Sequence, residues 1–465
     1  MTTWKPDLSQ ADESLYLVIA QQLARDIESG KLSAGTRLPT HRALARSLQV
    51  NVGTITRAYA EAARRGLIDG EVGRGSYVRH PAARAFSAGQ TSAIPEGVVD
   101  LAFNLPAGGP SAAERSQALV ELSKSADLDA LFTGYHLQGL ANHCAAGARW
   151  ISERGVPAAG ERVLVTGGAQ HALAVALATC AQPGDVVLAE ALTYTGLKPL
   201  TRMLGQRLHP VAIDEHGLIP EAFEAACHGN AVKALYCQPT SHNPTAVTLD
   251  LGRRRSLVEI ARRYDVALIE DDTYGFVGSN DLAPLAALAP ESTYYVTSLS
   301  KSVSSGLRVG FLMPPSGAPQ VLERAIAALT AIGWTAAPLV TELASRWIQD
   351  GTAARVAREK REEARARQAL ARRILGSLAA PSDPSSCHLW LHLPEPWRAS
   401  DFVGRAHQAG VAVTPAEAFV IGRAVAPHAV RVCISTPRTR TELESGLHVL
   451  ARLMRQAPAA QATVV

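Results

Sequence analysis

The first part of the chain combines helical and strand-like patterns. Apolar residues three or four positions apart, from Leu15 to Ile27, predict a first helix that ends near Gly30. Thr40 is a suitable N-cap for a short second helix, and a longer third helix follows a turn around residues 50–52. Residues 66–78 then resemble two short strands joined by a glycine turn. This order predicts a winged helix-turn-helix domain of the α+β class over residues 1–80.

From residue 98 onward, short apolar runs alternate with helical patterns. Six runs predict strands, at residues 162–166, 185–189, 232–237, 266–270, 293–298 and 308–313. Helices fit between several of them, which predicts an α/β domain with a mostly parallel, buried sheet. Residues 81–97, between the two parts, have little periodicity and predict a flexible linker.

Polar motifs follow four of the predicted strands at their carboxyl ends, where ligands gather in sheets of this kind. They are residues 167–170, 238–245, 271–274 and 298–301. The pattern therefore predicts one ligand site at this edge of the sheet.

Lys301 is the most informative residue of these motifs. A lysine amine can form an aldimine with an aldehyde cofactor and can move protons once it is freed. The hydroxyls of Ser298 and Ser300, and the guanidinium of Arg308, are suited to holding a phosphate. Together they predict a pyridoxal 5'-phosphate site in which Lys301 is the catalytic residue.

The other motifs supply what such a cofactor needs. Backbone N–H groups that open a helix can hold its phosphate, and three residues are candidates: Gly168, Ala169 and Gln170. Asp271 can keep the pyridine nitrogen protonated, so that the ring withdraws electrons from a substrate. Tyr274 and Asn243 can hydrogen-bond the phenolic oxygen, and Tyr194 can stack on the ring.

Composition and charge narrow the class of protein. The chain has 465 residues and a net charge of +4, and residues 37–79 hold eight arginines against three acids. A local basic excess on a small domain is typical of a protein that binds the phosphate backbone of DNA. Six scattered cysteines indicate neither disulfides nor a metal site. Because we find no signal peptide and no apolar run long enough to span a membrane, we expect a cytoplasmic protein.

The N-terminal stretch LSAGTRLPTHRALARSLQVNVGTITRAYAEAARRGLIDGEVGRGSYV resembles the GntR class of bacterial winged-helix regulators. The resemblance implies that Arg42, Thr54 and Arg57 face double-stranded DNA and that Arg74, at the wing tip, reaches a groove or a phosphate. The alternative is that these arginines only solvate a polar face, since exposed charges are common.

The motifs IEDDTYGF and SLSKSVSSGLRVGF resemble those of fold-type I aminotransferases, closest to the α-aminoadipate and kynurenine aminotransferase group. The resemblance covers essentially all of residues 98–455, within a predicted domain of residues 98–465, and implies a smaller C-terminal α+β subdomain from about residue 340. It also implies that Arg431 binds the α-carboxylate of an amino acid and that Tyr135 reaches the cofactor phosphate of a neighbouring subunit. Thr273 stands where related enzymes often carry proline, and Ala169 where many carry serine, which puts cofactor affinity in question.

Simpler interpretations of single motifs remain open. Asp271 and Asp272 could form a strand-end turn, and Lys301 could be a surface lysine. His388 and His392 lie four apart, but the alternation around them predicts a strand and not a helical metal site. The mixed charges of residues 355–363 predict an exposed helix face.

The order of the two parts resembles the MocR/GabR type of bacterial transcription regulator. That resemblance implies a homodimer, possibly domain-swapped, that binds promoter DNA and senses a small amine, an amino acid or pyridoxal phosphate itself. Two other hypotheses stay open: an active aminotransferase that converts an amino acid and a 2-oxo acid, and a DNA-binding protein whose large domain is only a dimerisation scaffold.

Overall fold

The structure is a computed structural model. It describes residues 4–6, 14–29, 31–32, 36–65, 67–71, 75–78, 97–125, 128–133, 136–278, 281–422 and 425–456, with the backbone alone for Glu28 and for residues 69–71. Nearly all of the predicted linker lies outside these ranges. The domain boundaries at residues 80, 97 and about 340 therefore stay predictions.

The N-terminal elements form three helices and a hairpin. They are α1 (Leu15–Glu28), α2 (His41–Leu48), α3 (Val52–Arg64), β1 (Ile68–Glu71) and β2 (Gly75–Val78). The Thr40 hydroxyl caps α2 by accepting a hydrogen bond from the Ala43 N–H at 3.2 Å, as the sequence predicts. β1 and β2 pair antiparallel, and Ile19, Leu44 and Ile55 pack in the core between the helices. The predicted winged helix is confirmed.

The large domain contains the remaining strands. In chain order they are β3 (Val99–Asp100), β4 (Leu164–Thr166), β5 (Val186–Glu190), β6 (Arg207–Val211), β7 (Ile213–Asp214), β8 (Gly217–Leu218), β9 (Val232–Cys237), β10 (Ala267–Asp271), β11 (Thr293–Ser298), β12 (Gly310–Met313), β13 (His388–His392), β14 (Val411–Ala412), β15 (Thr414–Pro415) and β16 (Ala429–Cys433).

The helices that surround these strands follow the same order. They are α4 (Ala112–Ser123), α5 (Leu128–Thr133), α6 (Ala141–Ser152), α7 (Ala169–Cys180), α8 (Leu197–Met203), α9 (Pro220–Gly229), α10 (Leu251–Arg263), α11 (Leu285–Leu288), α12 (Leu299–Ser302), α13 (Pro319–Ile332), α14 (Pro338–Gln349), α15 (Thr352–Leu375), α16 (Ala399–Gln408) and α17 (Arg440–Arg455).

A seven-stranded sheet organises the large domain, in the order β4-β12-β11-β10-β9-β5-β6. The strands from β11 to β6 run parallel to one another, and only β12 is antiparallel to its neighbours. The buried faces of β9, β10 and β11 explain their continuous apolar sequences, since helices cover both sides of a parallel sheet. The predicted α/β class is confirmed, and the short strand β6 was not predicted.

A smaller three-stranded antiparallel sheet, β13-β16-β15, lies in the C-terminal part. β3, which follows the predicted linker, pairs in parallel with β14 of this part. The chain therefore passes from the linker into the C-terminal subdomain before it enters the large sheet.

The prediction of an exposed face for residues 355–363 is wrong for one side of the helix. These residues lie in α15, where Val356, Ala357 and Lys360 are buried. The ammonium of Lys360 keeps hydrogen-bond partners because its Nζ donates to the backbone oxygens of Pro106 and Lys301, at 3.4 and 3.3 Å. Among the helices of the described ranges, none is long and apolar enough to cross a membrane.

One buried ion pair holds the start of the large domain to the central sheet, and it provides a test of the fold. Asp272 Oδ2 accepts hydrogen bonds from Arg154 Nε at 2.8 Å and from the Tyr295 hydroxyl at 2.6 Å. We predict that Asp272→Ala lowers the free energy of unfolding by about 3–5 kcal/mol, because it leaves the buried guanidinium without its counter-charge. Urea unfolding followed by tryptophan fluorescence measures this change.

The control is Glu291→Ala, which removes the exposed ion pair with Arg262. We expect a loss within about 1 kcal/mol there. Equal losses in the two variants would contradict the assignment of a structural role to the Arg154–Asp272 pair.

Candidate functional site

The polar motifs predicted from the sequence meet at the carboxyl edge of the large sheet. Asp271 is the last residue of β10, and Lys301 lies in α12, which begins immediately after β11. Gly168 follows β4, Tyr194 follows β5 and Asn243 follows β9. Parallel strands place their carboxyl ends together, so these residues come from distant parts of the chain to one region.

The start of α7 and the loop after α12 form a cradle suited to an anion. Gly168 precedes α7 with φ of +92°, and a Cβ atom there would lie 3.1 Å from the guanidinium of Arg308. Arg308 has φ of +52°, and its Nη2 donates to the Gly167 oxygen at 3.3 Å. The guanidinium thus lies beside the N–H groups of Ala169 and Gln170, which open the first helical turn, where a negative charge is stabilised.

Strand pairing brings Ser298, at the end of β11, close to this cradle, and Ser300 follows it in the chain. Ser298 pairs in register with Gly310, and a Cβ atom on Gly310 would touch the backbone of Gly168. The Ser298 hydroxyl accepts from the Ser300 N–H at 3.4 Å. The Ser300 Oγ is buried and has no hydrogen-bond partner within the part of the chain that the structure describes. A buried hydroxyl without a partner can donate a hydrogen bond to a phosphate group.

Asp271 is buried and held by donors on both oxygens. Oδ2 accepts from the Tyr236 hydroxyl and from Gln238 Nε2, both at 2.9 Å. Oδ1 accepts from the Thr273 hydroxyl at 2.6 Å and from its N–H at 3.2 Å. Burial raises the pKa of Asp271, and these four hydrogen bonds oppose that rise. Thr273, the departure noted in the sequence, therefore supplies two donors that proline lacks.

Three cations of the site donate to alternate carbonyls of one segment. Arg431 Nη2 donates to the Ala102 oxygen at 2.6 Å, Lys301 Nζ donates to the Asn104 oxygen, and Lys360 Nζ donates to the Pro106 oxygen. We name these three backbone carbonyls, of Ala102, Asn104 and Pro106, the carbonyl strip. It lies directly after β3 and crosses the site near Lys301 and Arg431.

Burial has a large effect on Lys301. It lowers the pKa of the amine to about 8, and the positive charge of Arg431 acts in the same direction. A substantial fraction of the amine is therefore neutral near physiological pH, which is the form that acts as a nucleophile.

Tyr274, Asn243 and Arg431 surround Lys301. The Lys301 Nζ lies 6.0 Å from the centre of the Tyr274 ring. Arg431 Nη1 donates to Asn243 Oδ1 at 2.8 Å, and its guanidinium lies over the ring of Phe419. The Nε of Arg431 is buried without a partner among the described residues, so a donor remains there for a ligand.

Some residues of the site could not be found by sequence reasoning. Tyr236 resembles an ordinary strand residue, and Asn104 lies in a segment that carries no motif. The Asn104 side chain nevertheless donates to the Tyr274 hydroxyl at 3.0 Å. The only sequence signal for Asn104 is that an amide interrupts an apolar stretch, which is weak evidence.

In the N-terminal domain, Arg42 on α2 and Arg57 on α3 are exposed, and Thr54 is half-buried. The Arg57 guanidinium stacks on the ring of Tyr16, 4.2 Å from its centre. Arg74 of the wing and Tyr135 of the large domain lie outside the described residues, so their roles stay predictions.

Comparisons with known proteins match both parts of the chain. The model of the family "Bacterial regulatory proteins, gntR family" matches residues 15–78, and that of "Aminotransferase class I and II" matches residues 96–450. The chain is 32% identical to YdeF of Bacillus subtilis, an uncharacterized HTH-type transcriptional regulator, over 97% of each chain. It is 27% identical to the HTH-type regulator YdcR of Escherichia coli, over 88% of this chain and 92% of that one.

Solved aminotransferases share the fold of the large domain. An archaeal alanine:glyoxylate aminotransferase superposes with a TM-score of 0.71 at 24% identity, covering 85% of this chain and 98% of its own. The α-aminoadipate aminotransferase LysN of Thermus thermophilus, solved with a phosphopyridoxyl-leucine compound, gives a TM-score of 0.69 at 25% identity, covering 79% of this chain and 96% of its own.

The low pKa of Lys301 yields a prediction that needs no ligand. In protein freed of small molecules, acylation of Lys301 by trace acetic anhydride should rise with pH to a midpoint of about 8, because only the neutral amine reacts. Mass spectrometry of the labelled peptides gives the profile. The exposed Lys233 is the internal reference, and a Lys301 profile that coincides with that of Lys233 would contradict the buried environment described above.

Proposed function

The chain belongs to the MocR/GabR type of bacterial transcription regulators, in which a GntR winged helix precedes a class I and II aminotransferase domain, and we propose that its large domain senses a small amine or amino acid. It is a pyridoxal phosphate-dependent, DNA-binding regulator. The observation that carries this function is the match of YdeF across both domains, since an aminotransferase alone would leave the winged helix unmatched.

The cofactor is pyridoxal 5'-phosphate, and the residues present fit it. When bound, it supplies an electrophilic carbon for amines and a ring that withdraws electrons from them. We assign its phosphate to the cradle and the adjoining hydroxyls, namely Gly168, Ala169, Gln170, Ser298, Ser300 and Arg308. Tyr135 would add a contact to the phosphate of the second subunit of a homodimer.

The remaining residues would orient the ring and the ligand. Asp271 would hold the protonated ring nitrogen, and Tyr194 would stack on the ring. Tyr274 and Asn243 would hydrogen-bond the ring oxygen, and Lys301 would provide the amine. Arg431 is assigned to the carboxylate of an effector, because its guanidinium is already positioned by Asn243 and can bind a carboxylate with two hydrogen bonds.

The carbonyl strip supports a physical link between ligand and DNA. An effector carboxylate at Arg431 competes with the Ala102 carbonyl for the same Nη2 donor, and a change at Lys301 removes a donor from the Asn104 carbonyl. Both carbonyls lie a few residues after Gly97, where the described part of the large domain begins. A ligand that prefers one arrangement of this segment changes DNA affinity if DNA also binds the two arrangements with different affinity.

DNA contact is assigned to the exposed face of α2 and α3 and to the wing. Arg42, Thr54 and Arg57 would meet bases or phosphates, and Arg74 would reach a groove. Because promoter DNA lies in the bacterial cytoplasm, we propose that the protein acts there. We infer a homodimer because such regulators read two half-sites.

The first experiment is a gel-shift of the protein loaded with pyridoxal phosphate on the DNA upstream of its own gene, with non-specific DNA as competitor. Competitor-resistant binding that changes when the cofactor is removed is the expected result. Binding that ignores the cofactor would contradict the regulatory role of the large domain, and a lack of specific binding would favour the second candidate function.

That second candidate is aminotransferase activity. It is favoured by the presence in one site of Lys301, Asp271 and Tyr274, from the edge of the large sheet, and of Arg431, from β16. Sustained conversion of an amino acid with a 2-oxo acid would support it, whereas a single half-reaction per site would support sensing alone.

We predict that Arg57→Ala weakens specific DNA binding by about 1–3 kcal/mol. If Arg57 contacts a phosphate instead, affinity falls equally on all sequences. The slope of log affinity against log salt concentration then decreases in magnitude by about one. Fluorescence anisotropy at several salt concentrations measures both quantities, and circular dichroism checks that loss of the Tyr16 contact has not unfolded the domain.

The matched control is Arg64→Ala on the same helix. Arg64 is exposed but already pairs with Glu61 through hydrogen bonds of 2.8 and 2.7 Å. We expect DNA affinity to change little there. A larger loss for Arg64→Ala than for Arg57→Ala would refute the assigned face.

A further inference from the structure

We propose that His388 and Asn104 form a hydrogen-bond relay that directs the hydroxyl hydrogen of Tyr274 toward the cofactor side of the site. The relay has three links, from the His242 carbonyl through His388 and Asn104 to Tyr274. The inference rests on the proposed function, in which Tyr274 serves the cofactor ring. His388 and Asn104 are positioning residues, because they act through Tyr274.

The first link fixes the tautomer of His388. Its Nε2 lies 3.0 Å from the backbone oxygen of His242, and a carbonyl oxygen can only accept a hydrogen bond. Nε2 therefore carries the hydrogen. Full burial, together with the nearby positive charge of Arg431, lowers the pKa of His388 to about 3, so the ring is neutral and Nδ1 is an acceptor.

The second link fixes the orientation of the Asn104 amide. Its Nδ2 lies 3.1 Å from His388 Nδ1, which needs a donor. The Ser386 hydroxyl, 3.5 Å from the same nitrogen, is also able to donate. If the amide were turned over, its oxygen would face an acceptor and one hydrogen bond would be lost. Chemistry thus requires the amide nitrogen to face both His388 and Tyr274.

The third link sets the role of Tyr274. Its oxygen accepts the second amide hydrogen of Asn104 at 3.0 Å. The hydrogen of the Tyr274 hydroxyl is then free to be donated elsewhere. Asn104 also receives Lys301 Nζ on its backbone oxygen, so Tyr274 and Lys301 are held by the same residue. The hydroxyl hydrogen is consequently available to an acceptor on the Lys301 side.

A buried acceptor remains in this arrangement. Asn104 Oδ1 has no hydrogen-bond partner among the residues that the structure describes, although the side chain is only 8% exposed. The amide of Asn104 therefore keeps the orientation that His388 requires, even though the amide oxygen has no hydrogen-bond donor among those residues.

The relay is tested on the protein loaded with pyridoxal phosphate by the pH midpoint of its visible absorbance. A hydrogen bond from Tyr274 to the ring oxygen draws negative charge from that oxygen and weakens its hold on the proton at the Lys301 nitrogen. We expect Tyr274→Phe to raise the midpoint by about 1–2 pH units, the equivalent of one hydrogen bond to a charged group.

Asn104→Asp is the diagnostic variant, because it has nearly the same shape but only acceptors. Its carboxylate would take the Tyr274 hydrogen, and we expect a comparable rise of the midpoint. In the Tyr274→Phe background, the same substitution should add little. An equal shift in both backgrounds would show that the new charge acts directly and would overturn the relay, as would no shift in either.

A second measurement needs no cofactor. Nitrogen NMR of histidine-labelled protein, with the His388 signal assigned by its loss in His388→Gln, reports which ring nitrogen carries the hydrogen. The exposed His392 of the same strand is the reference. Hydrogen on Nε2 alone is expected, and hydrogen on Nδ1 would overturn the relay. A protein that binds no pyridoxal phosphate would refute the proposed function, and this second measurement would still decide the relay.

Discussion

Burial of ionisable side chains at the carboxyl edge of the large sheet is the constraint on which the remaining arrangement depends. An unpaired charge there costs several kcal/mol. Each buried ionisable side chain therefore requires a loop or helix that brings it a partner. Glu270 and Asp271 end β10 and point to opposite sides, as successive residues of a strand do, and Asp272 follows them. Glu270 accepts from the N–H groups that begin α11, and Asp272 binds Arg154. Glu270 and Asp272 thus bind neighbouring elements of the fold and hold the end of β10 in place. Asp271, which lies between them, is thereby held in the site.

The cations of the site are satisfied differently from these acids. Arg431, Lys301 and Lys360 donate to backbone carbonyls of one segment, and Arg308 donates to the Gly167 carbonyl. A carbonyl completes the hydrogen-bonding geometry but does not cancel the charge. Burial lowers the pKa values of Lys301 and Lys360 to about 8, and the carbonyl partners do not offset this loss of hydration. Such a site favours ligands that bring negative charge, which is the property shared by a phosphate and a carboxylate.

The sequence predicts the framework better than it predicts the contacts. Apolar runs locate β4, β5 and β9 to β12, because a buried parallel strand must be continuously apolar. Lys301, Asp271 and Arg308 can be selected because their chemistry depends on residue type and on position after a strand. Asn104 cannot be selected in this way, since its partners Tyr274 and His388 are far away in sequence and only the tertiary fold brings them together. The burial of Lys360 cannot be predicted for the same reason. Its helix carries charges on every side, and only the contact with the carbonyl strip shows that Lys360 is buried.

Placement of the carbonyl strip suits the regulatory role that we propose for the large domain. In an enzyme, the segment over the site only has to close it. In this chain, that segment also follows the predicted linker directly, through β3 and its pairing with β14. Hydrogen bonds from Arg431 and Lys301, the two groups assigned to the ligand and the cofactor, contribute to its hold on the site. A ligand cannot engage both groups without changing the forces on this segment. The coupling that we propose between ligand and DNA would therefore need no separate device, since the same donors would serve two purposes.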